Sequence, residues 1–270
     1  MSPWWRERVR IDFAPDRVAL TRFSRGFKPR LVEQGIHELE TLAPGWEAAR
    51  DLLDRMLVEA RWGKAEAHVR LSSHFVRLHL LPFNAALATD DERLAFARME
   101  LEAVHGERVH DWTLILDDAP VGAAAPVCAV DSALLEALRA CCARAALKVG
   151  SIRPAFAVAL DQQRGRMRAP RYGFAFVEHG RVTLALYEGT ACRWLTNPRV
   201  GSALGEILGA ELQQAQMLGG IGGGGRLQVV FANQREGLPA RIGGWELAVA
   251  EPGEPGARAF PVGALKVAGH

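Results

Sequence analysis

Apolar and polar residues alternate near the start of the chain. From Val9 to Phe23 the sequence VRIDFAPDRVALTRF has an apolar residue at nearly every second position, interrupted by Ala14-Pro15-Asp16. A period of two is typical of strands that are half-buried in a sheet, and proline and aspartate favour turns. The pattern therefore predicts a β-hairpin whose first strand ends at Phe13 and whose second begins near Arg17.

Four longer stretches carry apolar residues at helical spacing. They are GWEAARDLLDRMLVEA, TDDERLAFARMELEAVHG, SALLEALRACCARAALKVG and SALGEILGAELQQAQML. The second begins with a threonine and acidic residues, which suit a helix N-terminus. For the third we expect Asp131 or Ser132 as the cap and Gly150 near the end of the helix.

The order of these elements recurs along the chain. KPRLVEQGIHEL predicts a third strand before the first helix, and AEAHVRLSS and FVRLHLLP predict two strands around a short turn. After RGRMRAPR come the predicted strands YGFAFVEH, VTLALYEG and ACRWLTNP, then a helix and the strand RLQVVFA. This duplication of topology predicts an α/β protein of two similar halves, residues 1–168 and a shortened half at residues 169–270.

Composition narrows the class of protein. The net charge is +2 and 49% of the residues are hydrophobic, so no strong positive field indicates nucleic acid. No apolar run reaches the roughly 18 residues that span a bilayer, and the N-terminus lacks the pattern of a secretory signal. We expect a cytoplasmic protein without a membrane span. The four cysteines fit no zinc site and read as thiols in a reducing compartment.

Two stretches resemble a known family. VRIDFAPDRVALTRF resembles the first phosphate-binding hairpin of actin-like ATPases, with Asp12 at the position of the acid and Ala14 at that of a glycine. Ala19 stands where some relatives in pilus assembly carry a lysine. APVCAVDSALLEALRACCARAALKVGSIRP is similar to the strand, helix and strand that lead into the second half of the PilM and MshI pilus proteins and of the cytoplasmic domain of the secretion protein GspL. The resemblance implies a duplicated ribonuclease H-like, actin-like fold with two lobes and mixed sheets.

The nucleotide motifs of that family are altered here. Pro15 removes a backbone donor from the first turn, where relatives have glycines that let the backbone approach phosphate. In VEHGRVT the second hairpin offers Glu178 and Gly180, but its turn is short. GGIGGGG precedes the strand RLQVVFA instead of following it, and ANQREG after that strand has one late glycine. We therefore expect no bound ATP or magnesium. Asp12, Glu178 and Gly180 would be the site residues if a nucleotide binds.

Other candidate sites each have a structural interpretation beside the functional one. Ser73, His74, Phe75 and Arg77 could form a strand edge that docks a partner, or a turn with one polar face. GGIGGGG lacks the lysine of a phosphate loop, so a linker is favoured. Trp4 and Trp5 suit a partner or bilayer surface as well as the core. The cluster at His105, Glu107, His110 and Asp111 favours a solvated loop over a metal site.

These observations predict a non-enzymatic cytoplasmic scaffold. The resemblance implies a role in type IV pilus or type II secretion-like assembly. It also implies a bitopic inner-membrane partner, PilN-like, whose cytoplasmic tail the scaffold binds. The protein would then lie at the inner membrane through that partner. The alternative is an ATP-binding actin-like ATPase with an atypical phosphate site.

Overall fold

The computed structural model describes residues 7–26, 29–39, 45–59, 65–167, 169–201, 203–232 and 237–250. Trp4, Trp5 and most of ANQREG lie outside these residues. The described chain divides into two compact units. The first is built from the residues up to Val76 with Val130–Val158, and the second from Arg77–Ala129 with the residues from Ala159 onward. The predicted halves, 1–168 and 169–270, stay a prediction.

The first unit contains a five-stranded mixed sheet in the order β3-β2-β1-β4-β8. Strand β2 pairs antiparallel with both β1 and β3, while β4 and β8 run parallel to β1. Helices α1 and α3 contact each other, and each contacts a strand of the sheet. The elements are β1 Arg8–Phe13, β2 Arg17–Phe23, β3 Leu31–Glu38, α1 Glu47–Glu59, β4 Glu66–Leu71, α3 Ser132–Arg144 and β8 Lys148–Pro154.

The predicted hairpin and first helix are confirmed. Along β1 the buried residues are Val9, Ile11 and Phe13, so Arg10 and Asp12 lie on the opposite face. The buried stripe of α1 has the spacing that the sequence predicts, and consists of Ala49, Leu52, Leu53, Met56 and Leu57.

A three-stranded sheet in the order β5-β7-β6 belongs mainly to the second unit. Its elements are β5 Val76–Leu81, β6 Trp112–Leu116, β7 Ala125–Asp131 and the neighbouring helix α2 Asp90–His105. The two strands predicted around the short turn are present as β4 and β5, but they do not pair with each other. The two strands belong to different sheets, and β5 pairs with β7 instead. Thr89 caps α2 as predicted, in a reciprocal capping box with Glu92.

The rest of the second unit repeats the topology of the first. Its six-stranded sheet has the order β11-β10-β9-β12-β14-β13. Again three antiparallel strands are followed by two that run parallel to the first strand of the set. This confirms the predicted duplication. Helix α4 Ala155–Gln163 begins in the first unit and ends in the second. The other elements are β9 Arg171–Glu178, β10 Arg181–Glu188, β11 Ala191–Thr196, α5 Leu204–Gly219, β12 Gly225–Phe231, β13 Arg241–Ile242 and β14 Trp245–Ala250.

The end of α3 differs from the prediction. The helix ends at Arg144, and Gly150 lies inside β8 instead of near the helix end. Ala146 has φ 57°, the left-handed conformation that glycine usually supplies at a helix end. The backbone N–H of Leu147 donates to the carbonyl of Cys142 at 2.9 Å, which closes the turn. Asp131 is the N-cap and accepts from the N–H of Ala133.

Candidate functional site

The carboxylate of Asp12 lies between two guanidinium groups. Arg70 Nε on β4 donates to Asp12 Oδ1, and Arg10 Nε lies 3.1 Å from Asp12 Oδ2. The side chains of Asp12 and Arg70 are 19% and 22% exposed. The register explains the cluster, because Asp12 pairs with Arg70 across the parallel strands β1 and β4. Both carboxylate oxygens therefore face fixed positive charge within the sheet.

The turn after β1 uses its own backbone donor. The N–H of Ala14 donates to the carbonyl of Arg17 at 3.0 Å, which closes a two-residue loop of Pro15 and Asp16. Pro15 has no N–H to offer. Ala19 is paired with Asp12 and is 5% exposed, so β2 supplies no cation at this position. The residues present at this hairpin do not fit a magnesium–phosphate group, which needs free backbone donors and a free carboxylate.

The second predicted hairpin also makes internal contacts at its turn. Gly180 has φ 68°, as a tight two-residue turn between β9 and β10 requires. Its carbonyl accepts from the N–H of Val200 at 2.9 Å, and the side chain of Arg181 donates to the carbonyl of Asn197 at 3.1 Å. Glu178 is paired with Arg181 in the register of β9 and β10. The segment after β11 therefore braces this turn.

The glycine-rich segment between α5 and β12 is a packed loop. Gly220 ends α5 in the left-handed conformation. A Cβ at Gly225 would lie 2.7 Å from the ring of Trp245 and 2.9 Å from the carbonyl oxygen of Arg171. Close packing explains that glycine without a phosphate. The predicted linker is thus a loop whose last glycine, Gly225, begins β12 and packs against β14 and β9.

The four predicted partner-binding residues occupy different surroundings. Ser73 is 1% exposed, and the ring of Phe75 lies 5.3 Å from that of Phe13. The guanidinium of Arg77 lies 6.0 Å from the centre of the Trp112 ring. His74 is half-buried in the turn between β4 and β5. Arg77 lies on β5, an edge strand of the three-stranded sheet, and partner binding by these four residues stays a prediction.

The histidines of the predicted solvated loop and the cysteines lie in surroundings that do not form a site. His110 Nε2 lies 3.4 Å from Glu102 Oε1, and Arg108 lines the same surface pocket. No three His, Cys, Asp or Glu side chains among the described residues form a metal-binding group. Burial raises the pKa of the Cys128 and Cys192 thiols to about 12, so neither is an activated nucleophile near neutral pH.

Sequence reasoning missed the partners of Asp12. The alternation along β1 and β4 places Arg10, Asp12 and Arg70 on polar faces of their strands. Only the register of the two strands, which lie more than fifty residues apart, brings Arg70 beside Asp12. A second missed group consists of Arg181 and Arg199, which form an isolated antiparallel bridge.

Solved structures share this fold. The cytoplasmic domain of EpsL, an inner-membrane component of the type II secretion system of Vibrio cholerae, has a TM-score of 0.58 and 14% identity, covering 90% of each chain. A PilM–PilN type IV pilus biogenesis complex has a TM-score of 0.60 and 13% identity, covering 83% of this chain and 81% of the other. A Bacteroides thetaiotaomicron protein with an actin-like ATPase fold and unknown function has a TM-score of 0.58 and 9% identity, covering 87% and 86%.

These likenesses establish the fold. The predicted two-lobed actin-like fold with mixed sheets is confirmed, and so is the structural resemblance to pilus and secretion proteins. No protein-family model matches the chain, and no curated protein matches it in sequence. A fold shared at such low identity carries many functions, so function has to be argued from the residues of the site.

Proposed function

We propose that this protein is a non-enzymatic scaffold of a type IV pilus or type II secretion-like assembly. It would act in the cytoplasm at the inner membrane, by binding the cytoplasmic tail of a bitopic, PilN-like membrane protein. One observation carries the non-enzymatic part: in an actin-like fold, the hairpin carboxylate Asp12 is held by Arg10 and Arg70. An ion pair of this kind supports a structural role for Asp12 in place of a magnesium-binding one.

Two further observations support a scaffold. The turn N–H of Ala14 already donates to the carbonyl of Arg17, and the carbonyl of Gly180 in the second turn already accepts from the N–H of Val200. The described helices are all too short or too polar to cross a bilayer. The two neighbours from pilus and secretion systems supply the class of partner to test.

Recovery of the membrane partner tests the proposal. Purified protein is cross-linked to inner membranes, and the adducts are identified by mass spectrometry. We expect a protein with one membrane span and a short cytoplasmic tail, encoded with pilus or secretion components. A synthetic peptide of that tail should bind the purified protein and compete with the full-length partner, while a scrambled peptide should not. Recovery of no such protein, or equal competition by the scrambled peptide, would refute the proposal.

The alternative of an ATP-binding ATPase makes a different prediction. Nucleotide would have to bind although Asp12 is paired and Ala14 is hydrogen-bonded, and binding would then stabilise the native state. The scaffold proposal expects no stabilisation by Mg-ATP and no effect of Mg-ATP on binding of the tail.

A further inference from the structure

Strand β3 forms one edge of the five-stranded sheet in the first unit. In the described part of the chain it pairs with β2 on one side only. Every residue of Leu31–Glu38 except Gly35 is exposed. The register with β2 skips Val32, so Glu33–Glu38 is the regular part of the edge. Three large apolar side chains of the strand are more than half exposed, namely Leu31, Val32 and Ile36.

Hydrogen bonds to β2 show which backbone groups of β3 point outward. The N–H of Leu39 donates to the carbonyl of Asp16 at 2.7 Å, so the backbone of Leu39 faces β2. The direction of the backbone groups alternates along an antiparallel strand. Gln34, Ile36 and Glu38 therefore direct their N–H and C=O groups away from β2. Outward groups in such a row can pair with a further strand.

Gly35 lies in the middle of this edge, and the described residues of its own chain do not require a glycine there. Gly35 does not have a positive φ, and a Cβ at this position would lie 3.9 Å from Met56 Cε, an ordinary contact. Glycine weakens a strand, and inside a strand it often marks the close approach of another backbone. The backbone groups of Gly35 point to β2, so an added strand would meet it as a non-hydrogen-bonded pair, with Cα atoms about 4.5 Å apart.

The sequence around Gly35 is complementary to itself. When two copies of β3 run antiparallel with Gly35 opposite Gly35, Gln34 of each copy lies opposite Ile36 of the other. Both residues have outward backbone groups, so they exchange N–H···O=C bonds on both sides of the two-fold axis. Glu33 of each copy lies opposite His37 of the other, in non-hydrogen-bonded pairs that bring side chains close together. A carboxylate therefore faces an imidazole on both sides of the axis.

Charge favours this register over its neighbours. Glu33 and His37 are both exposed. Arg22, the neighbour of Glu33 on β2, donates to Glu7 at 2.5 Å instead. Moving the two-fold axis by one residue along β3 would place glycine or leucine opposite Glu33 and leave its carboxylate without a polar partner across the axis. A second copy of the chain thus supplies a matching strand.

We propose that two copies of this protein pair through β3, antiparallel about a two-fold axis at Gly35. The sheets of the two copies then form one continuous sheet, and the exposed apolar side chains of β3 are partly covered. A single pair of strands is a small interface, so the dimer is weak and depends on concentration. This inference goes beyond the proposed function, because it concerns a second copy of the chain and needs no membrane protein.

Sedimentation equilibrium of the purified full chain over a series of concentrations tests the pairing. We expect a reversible equilibrium of monomer and dimer. Glu33→Lys and His37→Glu each place like or unmatched charges across the axis and should weaken the dimer roughly tenfold. The variant that carries both substitutions has a matched pair again and should dimerise like the wild type. Glu136→Lys makes the same change of charge at an exposed position of α3, which contacts the opposite edge strand β8, and should leave the dimer unchanged.

Disulfide cross-linking locates the axis. The Cα atoms of a non-hydrogen-bonded pair lie within the range that a disulfide spans, so Gly35→Cys should form a covalent dimer on mild oxidation. Ile36→Cys is the matched control, because the two introduced cysteines would be offset by two residues along the strands and should not join. Mass spectrometry of the bridged peptide identifies the disulfide. Thermal melts identify any unfolded variant, and Gly35→Cys decides if the charge variants do not fold.

Three outcomes would overturn the inference. The first is a wild-type protein that stays monomeric at every concentration. The second is a double variant that dimerises no better than Glu33→Lys alone, which would leave the β3 edge to a strand of a different protein. The third is equal cross-linking of Gly35→Cys and Ile36→Cys. Because no membrane protein is present, failure here leaves recovery of the bitopic partner as a separate result.

Discussion

Substitution of Asp12 by asparagine distinguishes a structural carboxylate from a magnesium ligand. Asp12→Asn keeps the shape of the side chain but removes the charge between Arg10 and Arg70. A hydrogen bond to a charged group contributes about 1.5–3 kcal/mol, whereas fully exposed ion pairs contribute below about 1 kcal/mol. With Asp12 and Arg70 19% and 22% exposed, we expect a loss of about 2 kcal/mol in the free energy of unfolding.

Urea unfolding without nucleotide measures this loss as a lower transition midpoint at unchanged slope. In a thermal melt it corresponds to a fall in Tm of about 4–8 °C for a chain of this size. The matched control is Asp54→Asn. Asp54 accepts from Arg144 Nη2 at 2.7 Å, but the two side chains are 36% and 54% exposed. That substitution should cost below about 1 kcal/mol.

The reasoning would be refuted if Asp12→Asn and Asp54→Asn were equally stable. It would also be refuted if Mg-ATP stabilised the wild-type protein and Asp12→Asn had wild-type stability without nucleotide but was not stabilised by Mg-ATP. The first result would mean that the two arginines contribute nothing to folding through Asp12. The second would identify Asp12 as a ligand of the nucleotide's metal ion.

Three further predictions concern stability and reactivity. Ala146→Gly should raise the free energy of unfolding by about 1 kcal/mol in urea, because glycine relieves the left-handed strain at φ 57°; an unchanged midpoint would contradict it. Burial lowers the pKa of His68 from 6.5, so the unfolded chain binds a proton first and stability should fall as the pH drops from about 7 to 5. This decline should be shallower in His68→Gln, and an equal slope would refute the assignment. Burial raises the pKa of the thiols of Cys128, Cys142 and Cys192 to about 12. A reagent that reacts with the thiolate form should therefore label these cysteines at about pH 8 only when the protein is denatured. Rapid labelling of the native protein would disprove this.

Local signals in the sequence predicted most of the elements and the duplication. The alternation at Val9, Ile11 and Phe13 and the threonine cap at Thr89 are set by neighbours in the chain, and both are confirmed. Pairing between distant strands is not set by neighbours in the chain. β4 and β5 look like a hairpin because both alternate around a short turn, but the partner of β5 is β7, almost fifty residues later.

The end of α3 was mispredicted because its stop signal is missing. A helix end in the left-handed conformation is normally marked by glycine, and this chain has Ala146 there. The next glycine, Gly150, was therefore assigned to the helix end. The candidate site shows the same limit: the altered turn at Pro15 was visible in the sequence, but the contact of Arg70 with Asp12 required the register of β1 and β4.

A thermal-shift titration with Mg-ATP tests the central claim, that this actin-like fold works without nucleotide. A ligand present at 100 times its Kd stabilises the native state by about 2.7 kcal/mol, which would raise Tm by roughly 5–10 °C. We predict no change in Tm up to millimolar Mg-ATP, because Asp12 is paired with two arginines and the turn donor of Ala14 is hydrogen-bonded. A saturable rise in Tm with Mg-ATP, lost in Asp12→Asn, would contradict the claim.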